Sequence, residues 1–361
     1  MCTGTENESL HQQWETSVNV LVKELRDQCL SELKSQSEPQ PSSSAAINRE
    51  LDNSSLEEIT LLSNKWFKQV SLLYNEPHRA YHNMVHVKDV LSSLEFLLEG
   101  NDTSHSTPTH SSSSSSTPPQ NISIDEAIAT LAAFFHDVIY NPKSSTNEKD
   151  SANLFLQFAS ELCNIIFTSL GKNAMDGGFD HQAGNSVSIQ EQKSSILSSM
   201  MKSRIVSKTD QCIVATATHI SSATQAHLTN NTIVATFLDA DMSILGKGAL
   251  SYDKYAGAIR KEYGFVEREV YCTKRAEILQ SFLPLMENAI ESAATDAKAK
   301  SSSGSDSAID TPSSSGEQMK NHSFIYATEK GRKRWEDGAR QNLKREIEML
   351  QRGEIPCENE S

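Results

Sequence analysis

The stretch Ser123-Ile-Asp-Glu-Ala-Ile-Ala-Thr-Leu-Ala-Ala-Phe-Phe-His-Asp-Val-Ile-Tyr140 decides the fold class. Ser123 with Glu126 three residues later has the form of a capping box, which satisfies the free N–H groups that open a helix. Ala127, Leu131, Ala132, Phe134 and Phe135 follow in a run that is apolar on nearly every side. A helix of that kind belongs inside a protein rather than on its surface. The pattern predicts a helix from 124 to about 138, ended by His136 and Asp137. Polar groups carried into a buried place need partners.

Working outward, apolar residues recur at spacings of three and four in further segments. About 11–34 carries Trp14, Val18, Leu21, Val22 and Leu25. About 56–74 carries Ile59, Leu62, Trp66, Val70 and Leu73, and about 81–98 carries Val85, Val90, Leu91, Leu94 and Leu98. Helices are expected near 147–170, stopped by Gly171, and near 191–201, 209–219, 231–245, 252–263 and 273–293. A last one, 328–350, carries Trp335, Ala339, Leu343, Ile347 and Leu350. Alternating runs bounded by hairpin turns are missing, so the expected class is all-α, a helical bundle.

Three inserts interrupt it. The segments 100–121 and 298–317 are Ser/Thr-rich with almost no aliphatic residues and are expected to be disordered; 171–190 is polar. The expected organisation is an N-terminal helix and linker over 1–55, a single helical domain over 56–350 with these inserts, and a tail over 351–361. The chain has 361 residues, of which 37% are hydrophobic, and the shortfall from a globular average concentrates in the serine blocks.

Charge narrows the function classes. Thirty-three Lys and Arg against 47 Asp and Glu give a net charge of -14. That disfavours a nucleic-acid backbone as the main partner, because such binding needs a basic footprint. No apolar run approaches the ~20 residues that span a bilayer, and the polar, acidic start is no signal peptide. Six cysteines are scattered with no C-x-x-C pair, which reads as reduced thiols in a cytoplasmic protein.

The chemistry concentrates in three stretches. One is Glu76-Pro-His-Arg-Ala-Tyr-His-Asn-Met-Val-His-Val-Lys-Asp-Val90. With a helix beginning near Tyr81, His82 and His86 would share a face; one could take a metal and leave the other near the reacting group. The second is the His136-Asp137 pair. The third is Phe237-Leu-Asp-Ala-Asp-Met-Ser-Ile-Leu-Gly246, with Asp239 and Asp241 inside an apolar segment, where carboxylates are rare unless paired. A mixed histidine and carboxylate set from separate helices suits a divalent ion.

In this order, H … HD … D on a helical chain resembles the HD superfamily of metal-dependent phosphohydrolases. Further motifs are similar to one predicted subfamily of it: Glu-Pro-His-Arg-x-Tyr-His-Asn-x-x-His, Phe-His-Asp-x-x-Tyr-Asn-Pro, Asn147-Glu-x-x-Ser-Ala152, Ile259-Arg-x-Glu-Tyr263 and Ala339-Arg-x-Asn-Leu343. Tyr81-His-Asn-x-x-His-x-x-Asp-Val90 is also similar to the first metal motif of cyclic-nucleotide phosphodiesterases. The resemblance implies His86, His136, Asp137 and Asp241 as ligands of a divalent ion (Mn, Mg, Fe, Ni or Co). It implies His82 as proton donor and Asp239 as a supporting acceptor or a cap. Asp137 would then serve catalysis as well as metal binding.

Two departures bear on the chemistry. Ile139-Tyr140 stands where the phosphodiesterases have Asp-His, which argues against a cyclic-nucleotide enzyme. Asn147 stands where two-metal relatives have His, which argues against a second ion, although His219 could support one. Arg79, Arg260 and Lys261 are candidates to offset phosphate charge, and Glu148 could hold a water on the ion or cap a helix. The expected activity is hydrolysis of a small phosphate ester or nucleotide by metal-activated water. The alternative from another class is a metal-binding scaffold or sensor without turnover.

The inserts give a first test. Deleting 100–121 and 298–317 together is expected to leave the melting temperature nearly unchanged, and a large fall would show that they pack.

Overall fold

The computed structural model describes residues 4–35, 50–99, 122–175, 186–218, 232–283 and 324–357. The inserts 100–121 and 298–317, the middle of 171–190, and His219 lie outside the described residues. Among the described residues there are helices and no strands, as the helical periodicity requires. These residues group into two compact units, one within Met1–His219 and Ala226–Asp241, the other within Ile220–Gln225 and Met242–Ser361. The sequence pattern suggests one domain over 56–350 instead.

The first unit holds α1 (Gly4–Ser35), α2 (Asn53–Tyr74), α3 (Met84–Leu98), α4 (Ile124–Phe135), α5 (Asn147–Met175), α6 (Ser186–Met201), α7 (Arg204–Ala215) and α8 (Thr232–Asp241). At its centre lies α4, which packs against α1, α3, α5, α7 and α8. Every residue from Ala127 to Phe135 is buried, so the helix that is apolar all round is also surrounded all round. It starts where the capping pattern places it, with the Glu126 N–H donating to Ser123 Oγ at 3.1 Å.

Aromatic rings hold the layers together. Trp14 of α1 is fully buried and lies 5.4 Å from Phe134, 5.6 Å from Phe135 and 5.4 Å from Phe158. Its indole N–H donates to Ser63 Oγ of α2 at 2.9 Å, so the one polar atom of the ring is satisfied. Thus α1, which the sequence pattern sets apart as a separate segment, belongs to the core of this unit.

Some boundaries differ from the expectation for identifiable reasons. Helix α3 starts at Met84, because Asn83 caps it through an N–H···O bond from Val85 of 2.8 Å. His82 therefore precedes the helix and does not share a helical face with His86. Helix α5 runs through Gly171 to Met175. By length and composition α5 could cross a membrane over Asn147–Gly171. Its Phe155, Phe158, Leu162, Ile166 and Leu170 are instead buried in the core.

The second unit holds a short 3₁₀ turn (Met242–Gly246), α9 (Ala249–Glu262), α10 (Arg268–Phe282) and α11 (Glu329–Gln351). Helix α11 packs on the 3₁₀ turn and on α10. Asn342 Nδ2 donates to the carbonyls of Leu245 at 2.9 Å and Lys247 at 2.8 Å. Buried Glu346 accepts from Tyr252 Oη and, at 2.9 Å, from Arg275 Nε, which pairs a charge that burial would otherwise penalise. Gly246 and Gly338 let the two backbones touch: a Cβ on Gly338 would sit 2.6 Å from the Gly246 carbonyl oxygen, and one on Gly246 would collide with the Trp335 backbone.

Two glycine substitutions should therefore act in opposite directions. Gly246→Ala must displace backbone and is expected to destabilise at or above the upper end of the roughly 1–3 kcal/mol typical of overpacking. Gly171→Ala sits in a helix with its nearest neighbour, Phe167, 4.0 Å away. It is expected to stabilise by roughly 0.5–1 kcal/mol through lower unfolded-state entropy and better helix propensity. Urea denaturation of the two variants beside the wild type checks both signs.

Candidate metal centre

Three helices of the first unit bring the chemistry together. His86 stands in the first turn of α3, His136 and Asp137 directly follow α4, and Asp241 ends α8. Helix α3 packs on both α4 and α8, and α4 on α8. The core packing of an apolar helix thus delivers its polar end to one point.

The donor atoms converge there. His86 Nε2 lies 3.0 Å from His136 Nε2, 3.1 Å from Asp241 Oδ1 and 3.5 Å from Asp137 Oδ2. His136 Nε2 lies 2.9 Å from Asp137 Oδ2 and 3.5 Å from Asp241 Oδ1. Two ligands bonded to one ion at about 2.0–2.2 Å and meeting at about 90–110° stand roughly 2.8–3.6 Å apart, so these separations fit a shared ion. His86, His136 and Asp241 form one mutual set, with ligand atoms all within 4.8 Å of one another. Asp137 adds a carboxylate beside both imidazoles.

Tautomers and charges point the same way. His136 Nδ1 lies 3.0 Å from the Ala133 carbonyl. A carbonyl only accepts, so Nδ1 carries the hydrogen and the neutral ring turns its Nε2 lone pair inward. Phe237 packs edge-on against this ring at 5.7 Å and fixes its plane. A second nitrogen 3.0 Å away then requires a proton or a cation between the two.

Burial would push the His136 imidazole down, but the charges of Asp137 and Asp241 outweigh it and hold its pKa well above the usual value. His86 is raised too: burial again opposes, and hydrogen bonds to the Asp137 and Asp241 carboxylates prevail. Burial would raise Asp137, yet the neighbouring imidazoles of His136 and His82 hold it well below the carboxylate range. The carboxylates of Asp137 and Asp241 thus face two imidazoles drawn towards their cationic form. The cluster is built to have positive charge at its centre.

His82 lies at the mouth of this cluster. Its side chain is 19% exposed, against 3% for His86 and 1% for His136. Its Nε2 is 4.0 Å from Asp137 Oδ2, beyond hydrogen-bond reach of that carboxylate.

Arg79 has a task that its sequence does not announce. Its side chain is buried, and its guanidinium donates to the carbonyls of His82 at 3.1 Å, Asp137 at 2.6 Å and Val138 at 2.9 Å, and to Glu76 Oε2 at 3.0 Å. The Tyr74 and Tyr140 rings lie 5.1 and 5.5 Å from its charge centre. The expectation of a phosphate-binding Arg79 gives way to a clamp between two segments of the site.

Arg260 and Lys261 belong to the second unit. Arg260 donates to the carbonyls of Tyr263 and Val266, both at 2.9 Å, and lies over the Tyr271 ring; Lys261 is exposed. Glu148 is half-buried in the first turn of α5, and Asp239 is buried.

Sequence reasoning missed several supports. Tyr74 Oη accepts from the Asp137 N–H at 3.2 Å. Asn147 and Asn141 exchange two side-chain-to-backbone bonds of 3.0 and 2.9 Å, and Ser151 Oγ ties the N–H of Ile139 at 3.1 Å. The Asn147-Glu-x-x-Ser-Ala152 motif thereby latches the turn after Asp137 to α5. Its spacing was visible in the sequence, but the backbone atoms it holds were not.

Arg79→Ala removes a buried cation from three backbone carbonyls that it binds. It is expected to lower the stability of the metal-free protein by roughly 3–5 kcal/mol, the range for breaking a buried charge arrangement. Denaturant melts in chelator measure it, and a loss below about 1 kcal/mol, the size of an exposed pair, would return Arg79 to the role of a solvated substrate ligand. Comparison of the chain with protein-family models, curated proteins and solved structures finds no match.

Proposed function

We propose that the chain is a metal-dependent phosphohydrolase of the HD superfamily, acting on a small phosphate ester or nucleotide. The observation that carries this reading is the convergence of two imidazole nitrogens and two carboxylates at separations of 2.9–3.5 Å. His86, His136, Asp137 and Asp241 would hold one divalent ion, of the class Mn, Mg, Fe, Ni or Co. Such an ion supplies a Lewis acid for a phosphoryl oxygen and a water of lowered pKa.

The protein's own groups supply the rest. The buried imidazoles form the closed floor, and the carboxylates and His82 border the open side. His82 would carry a proton on Nε2 and pass it to the leaving oxygen of the ester. The Asp137 carboxylate lies 4.0 Å from that Nε2. Arg79 holds the backbone of His82 and of Asp137 in register, so donor and ligand keep a constant separation. The thiols of Cys29, Cys163 and Cys212 are buried and not in disulfides, which suits a reducing compartment and supports a cytoplasmic protein.

Metal analysis of purified protein, then a panel of phosphate esters and nucleotides assayed with each candidate ion, tests the reading. Asp137→Ala and Asp241→Ala are expected to lose bound metal and activity together. His82→Ala is expected to keep the metal and lose roughly 10²–10⁴-fold in turnover on poor leaving groups, the range of general acid catalysis. A nitrophenolate needs no proton and should be largely spared. Metal bound at wild-type levels without turnover of any ester would favour the scaffold or sensor. Absence of bound metal after reconstitution would overturn both.

A further inference from the structure

We infer that Tyr140 is a positioning residue for the proton donor: its ring face fixes the plane of His82 at the mouth of the metal cluster. The inference deepens the proposed function and rests on it.

His82 needs an external restraint. It lies before the Asn83 cap, outside the hydrogen-bonded body of α3. The torsion that turns a histidine ring about its own axis is broad and roughly two-fold, unlike the staggered torsions of aliphatic side chains. Backbone order therefore does not set the direction of Nε2. Arg79 fixes the His82 carbonyl but does not hold the ring.

Tyr140 supplies a flat surface. Its ring stacks on His82 with centroids 4.1 Å apart and planes 27° from parallel. Tyr81 meets the same imidazole edge-on at 5.0 Å and 81°. A ring held face-on by one neighbour and edge-on by another has little freedom to rotate.

Tyr140 is itself held. It is 9% exposed, and its carbonyl accepts from His78 Nε2 at 2.9 Å. The His78 ring runs parallel to it within 6°, and the Arg79 charge lies 5.5 Å from its centroid. The residue also sits three positions after Asp137, on the turn that Ser151 and Asn147 latch to α5. Order in the ligand turn is thus passed to the proton donor through one aromatic face.

The experiment uses the full chain reconstituted with metal. Tyr140→Leu removes the flat face, and Tyr140→Phe keeps it. For each, rates are measured on an alkyl phosphate and on p-nitrophenyl phosphate, with metal stoichiometry alongside. The ratio of the two rates cancels any loss of folded protein, since both scale with the same folded fraction. A second readout, independent of activity, is the NMR shift of the His82 ring protons in histidine-labelled protein, assigned by their loss in His82→Ala.

For Tyr140→Leu we expect a loss of roughly 10–100-fold on the alkyl ester, the scale of misplacing a catalytic group by about 1 Å. Turnover of the nitrophenyl ester and metal content should stay near wild type. The His82 ring signals should move downfield as the ring current of Tyr140 disappears. Tyr140→Phe should keep both the wild-type rate ratio and the wild-type shift.

An unchanged rate ratio in Tyr140→Leu overturns the inference while the proposed function stands. So does loss of metal in that variant, which would make Tyr140 part of the ligand scaffold, or equal damage in Tyr140→Phe, which would assign the effect to the hydroxyl. A wild-type chain that binds metal but hydrolyses no ester overturns the proposed function, and this inference with it.

Discussion

One buried guanidinium ties the site together. Arg79 belongs to the segment that leads into α3, yet two of the carbonyls it grips, those of Asp137 and Val138, follow α4. A charge in such a place is tolerable only when its donors are matched. Arginine presents five N–H groups in a rigid plane, which lets one side chain serve several carbonyls at once. Tyr74 and Tyr140 flank that plane and exclude water from it. The positions of His82 and Asp137 both derive from this clamp, and that of His86 follows once α3 is started by Asn83.

The cluster that the clamp assembles is poised by electrostatics as much as by shape. Asp241 is the last residue of α8, and His136 caps the end of α4. The C-terminal end of a helix carries partial negative charge, so these two ends add to the carboxylates in favouring a cation. The imidazoles answer with the hydrogen that Ala133 pins on His136 Nδ1 and with raised proton affinity at the centre. Histidines serve here as adaptable partners: they accommodate protons or present lone pairs to an ion.

Much of this arrangement was legible in the sequence, and the remainder was hidden for physical reasons. The all-helical fold followed from spacings of three and four, and Ser123 with Glu126 marked the start of α4. His136, Asp137, Asp239 and Asp241 stand out because polar groups in apolar runs need partners, and the family resemblance selects His86 over His82 and Asp241 over Asp239. The start of α3 was misplaced because periodicity continues smoothly across Tyr81 to Met84, whereas the cap at Asn83 depends on one side-chain bond. Arg79 reads as a phosphate ligand because residue type reveals charge and not partners, and here the partners include backbone carbonyls. Gly171 reads as a stop because glycine often ends helices; here α5 continues through it. The stack of Tyr140 on His82 joins residues whose sequence neighbours give no hint of contact.

The ligands lie far apart along the chain. His86 and His136 are separated by fifty residues, and the interval from Asp137 to Asp241 is about twice as long. The insert 100–121 falls within the first interval and 171–190 within the second, whereas 298–317 follows both. Closing a flexible loop costs only logarithmically more as it lengthens, about 0.6 kcal/mol for each doubling. Lengthening such an interval therefore leaves the ligand geometry to the helices that carry it. A scaffold of this kind can change greatly in overall length while its reactive centre keeps the same dimensions.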